Sequence, residues 1–552
     1  MSSPWTTPPA GSELPPRNAN VQYYQTRHIY PRNVVTGGSW QVGKEAIFQF
    51  ESDPASGWLV PDQTKLYCRF KVSAAGSTNG VVPSKAIRLA ACPLLGMFDG
   101  ARWSINGTTV QSVAGDLDTI GQLQLRMRGS RESQDTNGSL GADSLRQHMS
   151  HPTSAPQVLE TTDATLDATT NRYLSANGVY TNDKHKLCTD RCTGGVAEGQ
   201  PMELMTPVSM ALTSFGINKF ISGASHDLRF TIGQHGVTGA KSFYTRMLPG
   251  EAADSGSVIS AATAGGVTLN GPDGALADGS VLNEAQSYSI LSGATVANAD
   301  GVRRTLAQFQ PPIDSYTAGN LNITMEEIYL VAQYCLPVHG TVPRPLSSQF
   351  VYDNITLLQQ PYDPRVAMNE QITIPVNTTR IIIGFRGAGK TLADNRELLG
   401  KAGGLLANDS GLDELGFRTT AANLAGGSVS SLQITLAGIS LPQPQYALNW
   451  AAGDYIRSWN DWGSFLQSSV GNTNGAQSLT EYQQDPLFAF RIMGDSDSVA
   501  QNLQVRATFK DNADAGVEHE MLVFCLGSST IEMQYDDDAS FQPTSVSVME
   551  VV

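Results

Sequence analysis

The chain has 552 residues, a formal net charge of −15 and only 16% charged residues, against roughly a quarter in an average globular protein. That length exceeds one ordinary core, so two domains or one duplicated unit is expected. The acidic balance argues against wrapping nucleic acid by charge alone, and no apolar run is long enough to predict a membrane span.

The opening stretch, "MSSPWTTPPAGSELPPRNAN", lacks a basic start followed by an apolar segment, so it is not expected to be a secretory signal. It reads as a Pro-rich arm, assigned to residues 1–40. From there, strand-length runs recur. The first are "EAIFQFES" (Glu45–Ser52) and "KLYCRFKV" (Lys65–Val72), followed by "HDLRFTIG" (His226–Gly233) and "MEEIYLVAQYCL" (Met325–Leu336). Later come "QITIPV" (Gln371–Val376), "RIIIGF" (Arg380–Phe385), "LQITLAGISL" (Leu432–Leu441) and "PLFAFRIM" (Pro486–Met493), then "LQVRATFK" (Leu503–Lys510) and "EMLVFCL" (Glu520–Leu526). Leu503, Val505, Ala507 and Phe509 alternate with Gln504, Arg506 and Thr508, the period of a strand with one face in a core. The gaps are rich in Gly, Ser, Asn, Asp and Pro, which is turn chemistry. Antiparallel β-sandwiches are expected, not alternating βαβ units.

Two helices interrupt the strands. Leu117, Ile120, Leu123 and Met127 make one helical face, with Asp116 placed to cap its start and Gly129 to end it. Tyr455, Trp459, Trp462 and Leu466 make the second. Each follows a similar tight turn, "WSINGT" (Trp103–Thr108) and "TLAGIS" (Thr435–Ser440). "KLYCRFKV" aligns with "RIIIGF" ahead of these helices, and the last two strand pairs align behind them. The order suggests one sandwich written twice, at 41–340 and 341–540, with a tail at 541–552. Two excursions, about 130–210, which follows the first helix and carries "RGSRESQDTNGSLGADS", and 236–320, dominated by small, flexible and acidic residues, read as long loops standing off the first sandwich.

Several phrases carry a resemblance. "FQFES…GWLVPDQTKLYCRFKV" (Phe48–Val72) and "PLLGMFDGARWSINGTTVQ" (Pro93–Gln111) anchor the start of the first copy. "DPLFAFRIMGDSDSVAQNLQVRATF" (Asp485–Phe509) and "MLVFCLGSSTIEMQYDDD" (Met521–Asp538) anchor the end of the second. Together with the duplicated order they resemble the double jelly-roll major capsid proteins of virophages and polinton-like double-stranded DNA viruses. The resemblance implies an all-β fold of two tandem eight-stranded antiparallel jelly rolls, with long loop insertions and short helices. It implies a non-enzymatic subunit, without cofactor, that trimerises into pseudo-hexameric capsomers tiling an icosahedral shell in the virion. The implied partners are other copies of the chain, neighbouring capsomers, penton and minor capsid proteins, and a host receptor through the exterior loops. Sequence-specific nucleic-acid binding is not implied.

One motif competes with that reading. Gly384–Thr391, "GFRGAGKT", matches the G-x-x-x-x-G-K-[ST] phosphate loop. "RIII" could supply its strand and "TLADNRELLGKAGGLL" its helix. Yet no downstream strand ends directly in the Asp or Glu that would position magnesium, and helices do not alternate with parallel strands. The alternative account is a glycine-rich exit from a strand of the second sandwich.

No catalytic, cofactor-binding or metal residue is expected. Cys68, Cys92, Cys335 and Cys525 sit in apolar stretches and read as buried thiols. His185, Cys188 and Cys192 could begin a zinc site but lack a fourth ligand nearby. Adjacent Glu326 and Glu327 should point to opposite faces of a strand. Asp495 and Asp497 read as turn formers, and Asp536–Asp538 as a solvated acidic run. N-x-[ST] triplets at Asn106, Asn137, Asn322, Asn354, Asn377 and Asn408 fit an Asn- and Thr-rich surface better than glycans. A β-sandwich attachment or carbohydrate-binding protein is the alternative function.

Overall fold

The computed structural model describes residues 21–52, 57–74, 87–89, 92–128, 202–217, 219–238, 241–245, 259–264, 267–270, 275–276, 295–298, 303–305, 321–337, 347–363, 365–387, 429–450, 452–470, 482, 486–492, 501–509, 519–535 and 543–550. Two antiparallel sandwiches follow one another along the chain. The first holds β1 (Val21–Ile29), β2 (Glu45–Ser52), β3 (Trp58–Ala74), β4 (Phe98–Ile105), β5 (Thr108–Ala114), β6 (Met202–Pro207), β7 (Ala224–Ile232) and β8 (Leu321–Pro337). The second holds β9 (Ser347–Tyr362), β10 (Met368–Ile374), β11 (Arg380–Gly387), β12 (Val429–Leu436), β13 (Ile439–Ala447), β14 (Phe488–Arg491), β15 (Gln501–Phe509) and β16 (His519–Tyr535).

The sheets of the first sandwich run β1–β8–β3–β6 and β2–β7–β4–β5. Those of the second run β9–β16–β11–β14 and β10–β15–β12–β13, each strand number being raised by eight. In each half the strand order interleaves consecutive strands between two facing sheets, which is the double Greek key of a jelly roll. The chain is a double jelly roll.

Alternation explains the inner faces. Ala46, Phe48 and Phe50 of β2 meet Leu228, Phe230 and Ile232 of β7 in the first core. Leu503, Val505 and Ala507 of β15 meet Ile381, Ile383 and Phe385 of β11 in the second. Matching hairpins join β4 to β5 and β12 to β13. Asn106 (φ 47°) with Gly107 (φ 83°), and Ala437 (φ 49°) with Gly438 (φ 81°), put two left-handed residues into each turn. That is the handedness that matches the twist of the flanking strands.

Three expectations need correction. First, β1 lies inside the stretch assigned to the N-terminal arm. It pairs with β8 from Val21↔Pro337 to Ile29↔Leu330. Its pattern is hidden because Arg27, not an aliphatic residue, covers the Tyr334 ring at 4.7 Å. Second, the tail contains β17 (Pro543–Glu550), which pairs with the far half of β16 from Tyr535↔Pro543 to Ser529↔Glu550. Third, Glu326 and Glu327 do not fall on core and solvent faces in turn. The β8–β3 register shifts between Met325 and Glu327. Met325 and Ile328 face the core, and both glutamates between them are half-buried outside it. A bulge accommodates the extra residue.

Of the excursion expected at 130–210, only the end from Met202 lies among the described residues. Within 236–320, Ile259–Ala264, Val267–Asn270, Ala275–Leu276, Thr295–Asn298 and Arg303–Thr305 form a separate five-stranded sheet.

The helix α1 (Leu117–Arg128) and its counterpart α2 (Ile456–Phe465) follow the fifth strand of each roll. They differ in one respect. From Leu117 to Met127 every residue of α1 is buried. Leu117 and Leu125 belong to the core of the first roll, whereas Leu123 and Met127 belong to that of the second. The helix is a wedge between the rolls, and each such side chain removed from water contributes about 1.5–3 kcal/mol.

Candidate assembly surfaces

Gly384 and Phe385, the start of the phosphate-loop match, lie inside β11, pairing with Leu522 and Met521 of β16. β11 runs antiparallel to β14 over Arg380–Ile383 and to β16 throughout, as far as Gly387↔His519. A phosphate loop needs its glycine to leave a parallel strand at that point and aim free amides at the anion. Here the first half of the motif is ladder. Gly389, Lys390 and Thr391 lie outside the described residues.

His185, Cys188, Cys192, Asp495, Asp497 and Asp536–Asp538 also lie outside them. Among the described residues no group of three or more His, Cys, Asp or Glu could hold a metal ion. No helix among them is long and apolar enough to cross a membrane. Cys68, Cys92, Cys335 and Cys525 are buried. Burial pushes the Cys335 and Cys525 thiols up to about 12, so they are not nucleophiles at neutral pH. A depression of about 490 Å³ on the outer face of the second roll is lined by Gln371, Thr435, Ala437, Gly438, Gln501, Asn502 and Gln504. It holds neither a charge nor an aromatic platform.

The surfaces that stand out are found by comparing equivalent strands. In the second roll, Ile381 to Phe385 of β11 and Met521 to Leu526 of β16 are all buried. Both faces of that sheet are therefore covered. The outward face carries Ile382, Leu522, Phe524 and Leu526, and Gln359, paired with Leu522, shares it. Gln359 donates to Asp116 at the foot of α1 (3.0 Å). Asp116 also receives Lys241 at 2.9 Å, tying the first roll into the same joint.

In the first roll the equivalent sheet alternates. Ile328, Leu330 and Ala332 of β8 are buried, while Tyr329, Val331 and Gln333 are only half-buried. Tyr329 pairs with Tyr67 of β3 as Phe524 pairs with Ile382 in the second roll. On this open face Tyr329 stacks on Tyr67 (4.3 Å between ring centroids) and on His28 (4.7 Å), with Tyr30 tilted beside it (5.3 Å). Burial, then the neighbouring Glu203 carboxylate, pushes the Tyr67 hydroxyl well above the ordinary tyrosine range. Glu326 bridges Lys71 (2.6 Å) and Arg69 (3.3 Å) along the same face. The result is a ladder of aromatic rings framed by charges that neutralise one another.

The second unmatched surface is α2. Its inner side is buried through Tyr455, Trp462, Phe465 and Leu466. Its outer side, Ile456, Asn460 and Ser464, is exposed where the corresponding helix α1 is enclosed. Periodicity found the inner face of each helix. It could not show that α1 is buried on every side, because Gln122, Gln124 and Arg126 read as solvent-facing.

No protein-family model matches the sequence. No curated protein matches it either. Among solved structures, the chain is similar to the Sputnik virophage structure determined by cryo-EM, with a TM-score of 0.48 and 10% identity, over 97% of this chain and 90% of that one. It is similar to the mavirus major capsid protein with a TM-score of 0.42 and 10% identity, over 96% of this chain and 90% of the other. For the Faustovirus major capsid protein the TM-score is 0.44 at 10% identity, over 94% of this chain and 91% of that protein.

Proposed function

We propose that the protein is a viral major capsid protein. It is a structural subunit, not an enzyme, whose chains associate in threes as six-lobed capsomers that tile an icosahedral shell in the virion. The observation that carries this reading is the duplication. Two jelly rolls of identical strand order lie interlocked in one chain, so that three chains present six like lobes. A six-lobed unit tiles a flat facet, and closed rings arise when a head-to-tail contact repeats through the right rotation. The quoted phrases that resemble double jelly-roll capsid proteins support the same reading. So does the composition, since broad surfaces that pack against copies of themselves are depleted of charge at their centres. Neighbouring capsomers are the principal partners, with penton and minor capsid proteins at vertices and seams.

The test is mass and shape. Light scattering on the purified chain is expected to give three times 59.0 kDa. Electron micrographs are expected to show six-sided particles or sheets of them. A chain that stays at 59.0 kDa at every concentration, with no assemblies on the grid, overturns the proposal.

A further inference from the structure

The joint between the two rolls is head-to-tail. The helix side of the first roll covers the outward sheet face of the second, and among the described residues the outward sheet face of the first roll and the α2 side of the second have no such cover. We infer that the aromatic ladder on the first roll, centred on Tyr329, is the docking surface for the α2 face of a second copy. This inference rests on the self-assembly reading and specifies which surfaces carry it.

Three observations converge. The first is the matched strand pairs. In the second roll Phe524 and Ile382 are fully buried under cover supplied in cis. In the first, the paired Tyr329 and Tyr67 lie on the outward face of the equivalent strands; Tyr67 is 9% exposed, but Tyr329 is half-buried and its neighbour Tyr30 is 57% exposed. Tyr329 standing where the second roll has Phe524 suits a face that meets water before assembly, because a phenol ring buries area while its hydroxyl can remain solvated. The second is the helices. α1 is enclosed on all sides, whereas α2, at the same place in its roll, leaves Ile456 58% exposed with Asn460 and Ser464 in line one and two turns on.

The third is chemistry. On the ladder face Glu326 takes both Arg69 and Lys71, and the Glu203 carboxylate bonds the Tyr67 hydroxyl. The face therefore favours a partner of polar and apolar groups that brings no further carboxylate. The α2 stripe Ile456–Asn460–Ser464 supplies one apolar anchor and short polar groups, the kind of surface that a Tyr-rich face binds. Because the two surfaces are different patches on different rolls, each contact leaves one of each free. Association runs on around a ring instead of stopping at a two-fold dimer.

The experiment places a photo-reactive phenylalanine analogue at position 329 of the full-length chain. Irradiation is followed by mass spectrometry of the adducts and light scattering of the same sample. The expected result is an interchain adduct within Ile456–Phe465 and an oligomeric mass. In parallel, the Asn460→Arg variant, whose exposed position leaves the core untouched, is expected to reduce the oligomer at least tenfold at a fixed concentration, with an unchanged circular dichroism spectrum. An interchain adduct elsewhere, or full assembly of Asn460→Arg, overturns the assignment of surfaces while leaving self-assembly standing. A monomeric wild-type chain without interchain adducts overturns both.

Discussion

At the scale of single residues, His226 is the group whose chemistry is most at odds with its place. It lies on β7 with its ring sealed in the first core, 1% exposed. Nε2 is 2.9 Å from Ser52 Oγ on β2. The ring stacks on Phe50 of β2 (4.9 Å) and lies 6.0 Å from Trp103 of β4. Its pair across the ladder is Ile105, and its neighbour Asp227 turns outward to bond Arg229 and Gln49. Ser52, Phe50, Trp103 and Ile105 around the ring carry no charge, and burial lowers its pKa to about 3 from 6.5. The unfolded chain therefore binds a proton that the folded chain refuses. The neutral histidine's contribution is fully present above pH 6.5 and is lost as pH falls towards 3, amounting to about 2 kcal/mol by pH 5. Asp62 works in the opposite sense, since burial raises its carboxyl to about 7, and its contribution weakens as pH rises from 3.8 through that value. Comparing wild type with His226→Phe, which keeps the stacking, cancels Asp62 and isolates the histidine. We expect the denaturation midpoint of the variant to fall less than that of wild type between pH 7.5 and pH 5. Equal falls would show that His226 is not the group responsible.

At the scale of elements, the paired hairpins make a sharper comparison than either alone. The β4–β5 turn uses Asn106 in the left-handed position, with its side-chain carbonyl accepting the Ser225 amide at 2.8 Å. The β12–β13 turn puts Ala437 in the same conformation, which costs an alanine about 1–2 kcal/mol. Ala437→Asn is expected to stabilise the chain by about 0.5–1 kcal/mol in urea denaturation, because asparagine tolerates this conformation. A midpoint lower than wild type would refute that account of the turn. These turns were legible in the sequence, and "EAIFQFES" coincides with β2 residue for residue. β1 and β9 were not, because their buried faces are supplied partly by Arg27, Ser348 and Tyr352; β17 carries only the two alternating valines, Val546 and Val548, too short a signal to mark a strand. Nor could local pattern find the open surfaces. Tyr329 and Ile456 differ from their buried counterparts only in what lies opposite them, which is a property of the duplicated fold. Met521–Leu526 and Ile328–Gln333 both read as largely apolar runs; only their burial, continuous in the first and alternating in the second, separates them, and it acquires meaning once the two strands are known to be equivalent.

At the scale of the whole molecule, the rolls share more than the α1 wedge. The far halves of β9 and β16 extend beyond their own sandwich and deliver Phe350, Tyr352, Ile531 and Met533 to the core of the first roll. β17 runs beside them and adds Val546 and Val548 to the same cluster. It is held against the first roll by Asn106 Nδ2 donating to the Pro543 carbonyl (3.5 Å) and Thr108 Oγ1 to that of Val546 (3.3 Å). Tyr352 completes the seam by donating to the Val110 carbonyl at 2.8 Å. One side of the first core is therefore completed only when the second roll is folded. The two halves should then unfold as one cooperative unit instead of as independent domains. Deleting residues 541–552 strips two valines from the shared core, at a cost of about 2–4 kcal/mol, and uncovers one edge of β16 at the seam. The expected calorimetric outcome is that the single endotherm of the wild type separates into two, with the first roll melting earlier. Val546→Ser with Val548→Ser, which keeps the strand and weakens only its packing, should lower that transition without splitting it as far. A truncated chain that melts in the same single transition at the same temperature would mean that β17 lies on the surface of the first roll without helping to build its core.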